Sequence, residues 1–317
     1  MSDRNHPSMT TAFTRYRGTL ALVGVGCLML ALEFSPEARA QSAPAPDIYL
    51  AHLTNRGGRL ATDSVRNLTR RDGYDNQPSW SPDGRTIFFT SVRDDAQADI
   101  YRIEVATGVT ARVTATAPES EYSATVMPRG DAISVIRVER DSTQRLWRFP
   151  LNGSAPSVIL ERVKPVGYHA WADSVTLALF VLGSPNTLQL ADTRTSRSDT
   201  ITTNVGRSLH RVPGQHRVSF VHKLSADEWW IILLDPATKT TERLVRLPKG
   251  VEDYAWTPDG RVLLGEGSVL KVYDPNRGGE WQTVGDLAAS GVSAITRLAV
   301  SPKGDAIAIV AVPTTVK

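Results

Sequence analysis

Two arginines, Arg207 and Arg297, and two neighbouring acids, Glu252 and Asp253, occupy matching places in the chain. Each lies three or four residues before a recurring turn motif. The same offset elsewhere gives Asn76 and Gln77, Tyr122 and Ser123, Gly167 and Tyr168, Ser208 and Thr296, so the position is polar or small throughout. Side chains of this kind, gathered on one axis, could hold an acidic peptide terminus, a sugar or an ion. The candidate ligand- or partner-binding residues are therefore Gln77, Tyr122, Tyr168, Arg207, Glu252, Asp253 and Arg297. Metal chemistry has little to stand on. After the N-terminal region the histidines are His52, His169, His210, His216 and His222, with no H-x-x-x-H spacing and no cysteine pair. His169 and His210 fall two and one residues before their motifs, from where one could face the axis. A calcium site from Asp75, Asp253 and backbone carbonyls is a further option, without a contiguous calcium-loop motif.

The elements that must position these residues are short strands. Runs such as "RTIFFTS" (85–91), "DAISVIRV" (131–138), "HRVSFVH" (216–222) and "DAIAIVAV" (305–312) each follow a turn, and no long amphipathic helical pattern interrupts them. The turns recur. "WSPDG" (80–84) returns as "WTPDG" (256–260), "VSPKG" (300–304) and "VMPRG" (126–130), with degenerate copies "WADSV" (171–175) and "RVPGQ" (211–215). The anchors Trp80, Val126, Trp171, Arg211, Trp256 and Val300 are separated by 46, 45, 40, 45 and 44 residues. In each unit Pro presets φ, Asp can bond back to the backbone and Gly takes a positive φ, which predicts a two-residue hairpin between an inner strand and the next. Two more strands follow, as in "ADIYRIEVATGVTARVT" (98–114) and "EWWIILLDPATKTTERLV" (228–245), the plan of a propeller blade. The last unit supplies only two strands and the segment 47–69 supplies two more, so the ends complete one blade. The expectation is an all-β, six-bladed β-propeller of four-stranded antiparallel blades, spanning 47–312, closed by N- and C-terminal strands sharing one blade. Trp80, Trp171 and Trp256 share a repeat position and are expected to pack between blades. Of Trp229 and Trp230, one is expected to face a neighbouring blade and the other to be partly exposed.

The stretch "NLTRRDGYDNQPSWSPDGRTIFFTSVRDDAQADIY" (67–101) resembles the WD-like propeller repeat of the TolB family, periplasmic six-bladed propellers of the Tol-Pal envelope system. Leu68-Thr69, Asp75, Pro78, Trp80 to Gly84, Ser91, Arg93 and Asp99 to Tyr101 carry the resemblance. Members acting in that system bear an α/β domain before the propeller, whereas six residues separate the expected leader from the first strand here. The resemblance thus implies the fold and the compartment more than a Tol partner. Similar propellers also precede the hydrolase domain of prolyl-oligopeptidase-like peptidases, but the sequence has no G-x-S-x-G.

Export is read from the N-terminus. Arg15 and Arg17 precede the apolar run "TLALVGVGCLMLAL" (19–32), followed by Ala38-Arg39-Ala40, a small-x-small cleavage site. Residues 1–40 are read as a signal peptide, with an uncleaved anchor as the alternative, 41–46 as a linker and 313–317 as a tail. The only cysteine, Cys27, falls in the leader, so the mature chain is expected to be free of disulfides. Lys+Arg 36 against Asp+Glu 33 leaves no basic field for nucleic acid. The expected function is an exported, non-enzymatic, monomeric scaffold, periplasmic or secreted, that binds a protein or peptide of the cell envelope without a cofactor. A small-ligand sensor and a hydrolase or lyase using channel carboxylates remain the alternatives.

Overall fold

The computed structural model describes residues 45–93 and 96–314. The leader reading, Cys27 and most of the 41–46 linker lie outside the described residues. Among those described, 24 strands form six four-stranded antiparallel sheets, each read here as one blade. Five blades are continuous in sequence: blade 1 (75–112), blade 2 (120–158), blade 3 (166–203), blade 4 (205–246) and blade 5 (254–286). Blade 6 is assembled from both ends, in the order Val292–Val300, Ala306–Pro313, Asp47–Arg56 and Arg59–Asn67 from the inside outward. Ile48 pairs with Val310 and Ala51 with Ile307, which closes the ring by main-chain hydrogen bonds. No helix among the described residues is long and apolar enough to cross a membrane.

Each second strand is apolar on successive residues because its two faces meet two neighbouring blades. Ile87 to Ser91, Val218 to Val221 and Ile307 to Ala311 are buried without a break. The fourth strands, such as Arg197–Thr203 and Thr241–Arg246, are largely exposed at the rim. The apolar cores therefore lie between adjacent sheets.

The turn motif differs from its expected geometry. Ser81 N–H bonds Thr86 O at 2.8 Å and Gly84 N–H bonds Ser81 O at 2.9 Å, so Pro82 to Arg85 form a four-residue loop rather than a two-residue one. The loop is built on an ordinary β-turn, with Gly84 at φ 72° supplying the return to the second strand. Asp83 acts as anticipated, accepting from Ser81 Oγ at 2.6 Å and Arg85 N–H at 3.0 Å.

The motif tryptophans fasten blades together. The Trp80 indole N–H reaches Ala299 O at 2.8 Å across the closure, Trp171 reaches Ser134 Oγ at 2.9 Å and Trp256 reaches Ser219 Oγ at 2.8 Å. Other signature residues do the same work locally. Asp99 is 3 % exposed and accepts from Thr114 Oγ1 at 3.2 Å and Arg112 Nη2 at 2.5 Å, while Thr114 accepts from Ile100 N–H at 2.9 Å. Asp47, Ile48 and Thr69 repeat that clasp one blade earlier. Asp75, fully buried, is held by Ser91 Oγ at 2.6 Å and Arg71 Nη1 at 3.2 Å. Arg93 then links Ser91 to the face of Tyr101. Trp229 and Trp230 are both partly buried, on opposite sides of blade 4: Trp230 against the blade 3 core and Trp229 against the blade 5 core beneath Lys223 Nζ.

Candidate functional site

The inner strands enclose a central cavity of about 560 Å³. Its lining follows strand register. The residue three before each anchor lines the cavity in all six blades: Gln77, Ser123, Tyr168, Ser208, Asp253 and Arg297. The residue four before points elsewhere, except in blade 4, where the long side chain of Arg207 reaches in. β-Bulges sharpen this choice. Pairing slips between Asn76 and Ser79 in blade 1 and between Tyr122 and Thr125 in blade 2. Gln77 and Ser123 take φ of 56° and 55° within those slips, and such an irregularity re-aims a side chain that a regular strand would bury in the sheet.

Five of the seven residues named from sequence therefore meet in one place: Gln77, Tyr168, Arg207, Asp253 and Arg297. Tyr122 and Glu252 do not. Tyr122 occupies the alternate register and packs against the blade 2 and blade 3 core. Glu252 is turned into the seam between blades 4 and 5, where its carboxylate accepts from the Arg207 backbone N–H and from Lys223 Nζ at 3.1 Å. Gly206 makes that seam possible, because a Cβ there would lie 2.5 Å from Glu252 Oε1. Glu252 instead lines an adjoining pocket of about 350 Å³, shared with Arg207, Asp253 and Arg297.

In the cavity lining two guanidinium groups flank one carboxylate. Arg207 Nη2 lies 2.7 Å from Asp253 Oδ2, and Arg297 Nη1 lies 3.4 Å from Asp253 Oδ1. Arg297 Nη2 also donates to Tyr168 Oη at 2.8 Å, with its guanidinium 5.0 Å from that ring's centre. Gln77 Oε1 is engaged by Thr90 Oγ1 at 2.7 Å and Ser123 N–H at 2.9 Å. The cluster of Arg207, Asp253 and Arg297 thus carries one more positive than negative side chain.

Apart from Arg211, the other lining groups are neutral. His169 is 7 % exposed and lines the cavity, and burial pushes its pKa down to about 3. Its Nε2 shares a 2.7 Å hydrogen bond with Ser134 Oγ. His210 also lines the cavity, with its pKa lowered to about 4 by burial, the Arg297 charge contributing. Trp80, Trp171 and Trp256 line it as well, alternating around the ring with Pro128, Pro213 and Pro302.

Sequence reasoning passed over Ser123 and Ser208 as site residues, although their register is that of Tyr168 and Asp253. Tyr74, which precedes the first inner strand, does not line the cavity but lies within electrostatic reach of its arginines. Burial raises the Tyr74 pKa, while Arg297 and Arg207 pull it down and the Tyr168 and Tyr122 phenols act on it. Its position has no counterpart in the repeat. The calcium option does not fit the donors present. Both Asp253 oxygens are engaged by arginines, Asp75 is fully buried with its Oδ1 held by Ser91 and Arg71, and no group of three His, Cys, Asp or Glu among the described residues could hold a metal ion.

No protein-family model matches the sequence, and no curated protein does. Solved structures match it at low identity. A protein assigned as TolB from Agrobacterium tumefaciens is 15 % identical with a TM-score of 0.68, covering 85 % of this chain and 98 % of its own. A propeller in a nidogen–laminin complex is 10 % identical with a TM-score of 0.60, covering 80 % and 97 %. TolB from Acinetobacter baumannii is 12 % identical with a TM-score of 0.56, over 84 % of this chain but only 64 % of that TolB. This chain therefore spans less than two thirds of that relative. At such identities the likeness concerns architecture, and on that ground the fold is a TolB-like six-bladed propeller.

Proposed function

We propose that this chain is an exported, non-enzymatic propeller of the bacterial cell envelope that binds a protein or peptide segment at the charged cluster formed by Tyr168, Arg207, Asp253 and Arg297. One observation carries this reading: two guanidinium groups converge on a single carboxylate, and the Arg207 side chain is 40 % exposed. An acidic side chain or a C-terminal carboxylate from a partner pairs with that guanidinium through charge-assisted hydrogen bonds. The leader-like N-terminus supports export to the periplasm, and the TolB-like fold supports an envelope role. An acid–base role for Asp253 is less favoured, because each of its carboxylate oxygens is already held by a guanidinium donor that favours the unprotonated form.

The test is affinity capture from envelope extract with the mature protein and with Arg207→Gln, followed by cross-linking from a photoreactive residue at Tyr168. Capture that weakens with the variant and cross-links at Tyr168 supports the reading. Capture that is indifferent to Arg207 removes this cluster from consideration.

A further inference from the structure

Side chains cross the propeller axis at one level. The blades follow one another around the ring in chain order, so blades 3 and 6 face each other across it. Arg297 Nη2 of blade 6 nevertheless donates to Tyr168 Oη of blade 3 at 2.8 Å. From Arg297 the contacts run on to Asp253 in blade 5 and from there to Arg207 in blade 4. The axial cavity extends from this level along the inner strands to the turn motifs, whereas the adjoining pocket takes residues that come before it, Lys249 to Glu252 and Ile295 to Thr296. Arg207, Asp253 and Arg297 line both, so they form the partition between the two spaces. At the turn end, by contrast, Pro128, Arg211 and Pro302 are exposed. A chain entering from the turns stops at that partition. A loop would need two lengths of main chain side by side in about 560 Å³; a chain end needs one.

Charge along the cavity says which chain end fits. Its charged lining residues are Arg207, Arg211, Asp253 and Arg297, three positive against one negative. Part of that excess sits at the partition, where the Arg207 side chain is 40 % exposed. The rest is Arg211 at the turn end, in the anchor place that Trp or Val fills in the other five blades. Arg211 is exposed and its side chain has no ion pair or hydrogen bond among the described residues. Four residues of one inner strand separate the two arginines, at most roughly 13 Å at about 3.3 Å per residue, a span that an extended peptide covers with about four residues of its own. Between them the ring one residue before the anchors is Ser79, Thr125, Ala170, His210, Ala255 and Ala299, five small side chains and a neutral imidazole, which leaves width for uncharged side chains.

We infer that the axial cavity captures the free C-terminus of a partner polypeptide: the terminal carboxylate meets Arg207 at the partition, uncharged residues occupy the ring of small side chains, and an acidic residue three or four places from the end meets Arg211. This rests on the partner reading above and fixes which part of the partner is held. Arg211 is then the residue that selects among C-termini, because blade 4 alone carries a charged anchor.

The test is selection, on the purified chain, of random octapeptides displayed with a free C-terminus, followed by calorimetric titration of the enriched sequences as synthetic peptides ending in an acid or in an amide. The expected result is enrichment of Asp or Glu three or four places from the end, with the amide binding about tenfold or more weakly than the acid. Arg211→Glu should invert the choice at that place to Lys or Arg. Its exposure leaves the fold intact, which a circular-dichroism melting curve checks. No enrichment, amides that bind as well as acids, or a preference that Arg211→Glu leaves unchanged overturns the inference. Envelope capture that still depends on Arg207 in any of those cases keeps the partner cluster and removes only the C-terminal reading.

Discussion

Blades 1 and 4 follow one strand plan yet use their polar residues in opposite ways. Blade 1 carries the full motif, and its acids are held within the protein: Asp75 through Oδ1 by Ser91 and Arg71, although its Oδ2 is buried without a partner, Asp99 by Thr114 and Arg112, Asp83 by its own turn. Blade 4 has the degenerate anchor Arg211-Val212-Pro213-Gly214-Gln215, and it sends Arg207, Ser208 and His210 into the cavity, with Arg207 Nε unpartnered. Closeness to the repeat therefore reports the demands of the fold. Departure from it, at positions facing the axis, reports the site.

The strongest way to break this comparison is Arg71→Met. It leaves Asp75, wholly buried, with Ser91 as its remaining side-chain partner among the bonds described above, and loss of one member of a buried pair typically costs about 3–5 kcal/mol. Denaturant unfolding should show a loss of that size with partner capture intact. A loss under about 1 kcal/mol would mean that the signature acids are not structural.

Acid sharpens the contrast from the cavity side. Burial lowers the His169 pKa to about 3, against about 6.5 when unfolded, so between those values the unfolded chain binds a proton that the folded chain refuses. Stability from this residue is complete above about pH 6.5 and falls by about 1.4 kcal/mol per pH unit below it. Glu121 opposes this, since burial raises its pKa and the folded state takes up its proton first. Melting curves from pH 7 to pH 4.5 should therefore fall more steeply in the wild type than in His169→Leu; parallel curves would contradict the burial assigned to this ring.

Arg207→Gln should weaken partner capture about tenfold or more, in the range of a lost charge-assisted hydrogen bond, read by titration against a captured partner. At the smallest end stands the rim pair Lys239 and Asp199, 2.8 Å apart with side chains 51 % and 66 % exposed. Breaking it should shift stability by less than about 0.5 kcal/mol, because solvent screens an exposed pair. A larger effect would show the outer strands contributing more than their exposure suggests.

Much of the fold was readable from residues alone, because a period near 44 residues and complementary half-units at the two ends leave few alternatives to a closed ring. Ile48 opposite Val310 is the physical form of that reading. The turn was misjudged by two residues, since Pro-Asp-Gly fits both a tight hairpin and the longer loop found at 82–85. The site was half legible. Offset from the anchor identified the inner strand, but not which of two neighbouring residues faces inward, because bulges at Gln77 and Ser123 and the reach of Arg207 decide that locally. Hence Asp253 was placed where Glu252 was not.

The division between scaffold and site is tested most directly by comparing two arginine losses of the same charge in one experiment. For Arg71→Met and Arg207→Gln, the melting temperature and the capture of an envelope partner are measured side by side, with capture well below both melting points. The account predicts a crossing: Arg71→Met melts several degrees lower and still captures, while Arg207→Gln melts near the wild type and captures poorly. Two variants that lose stability and capture in step would contradict it.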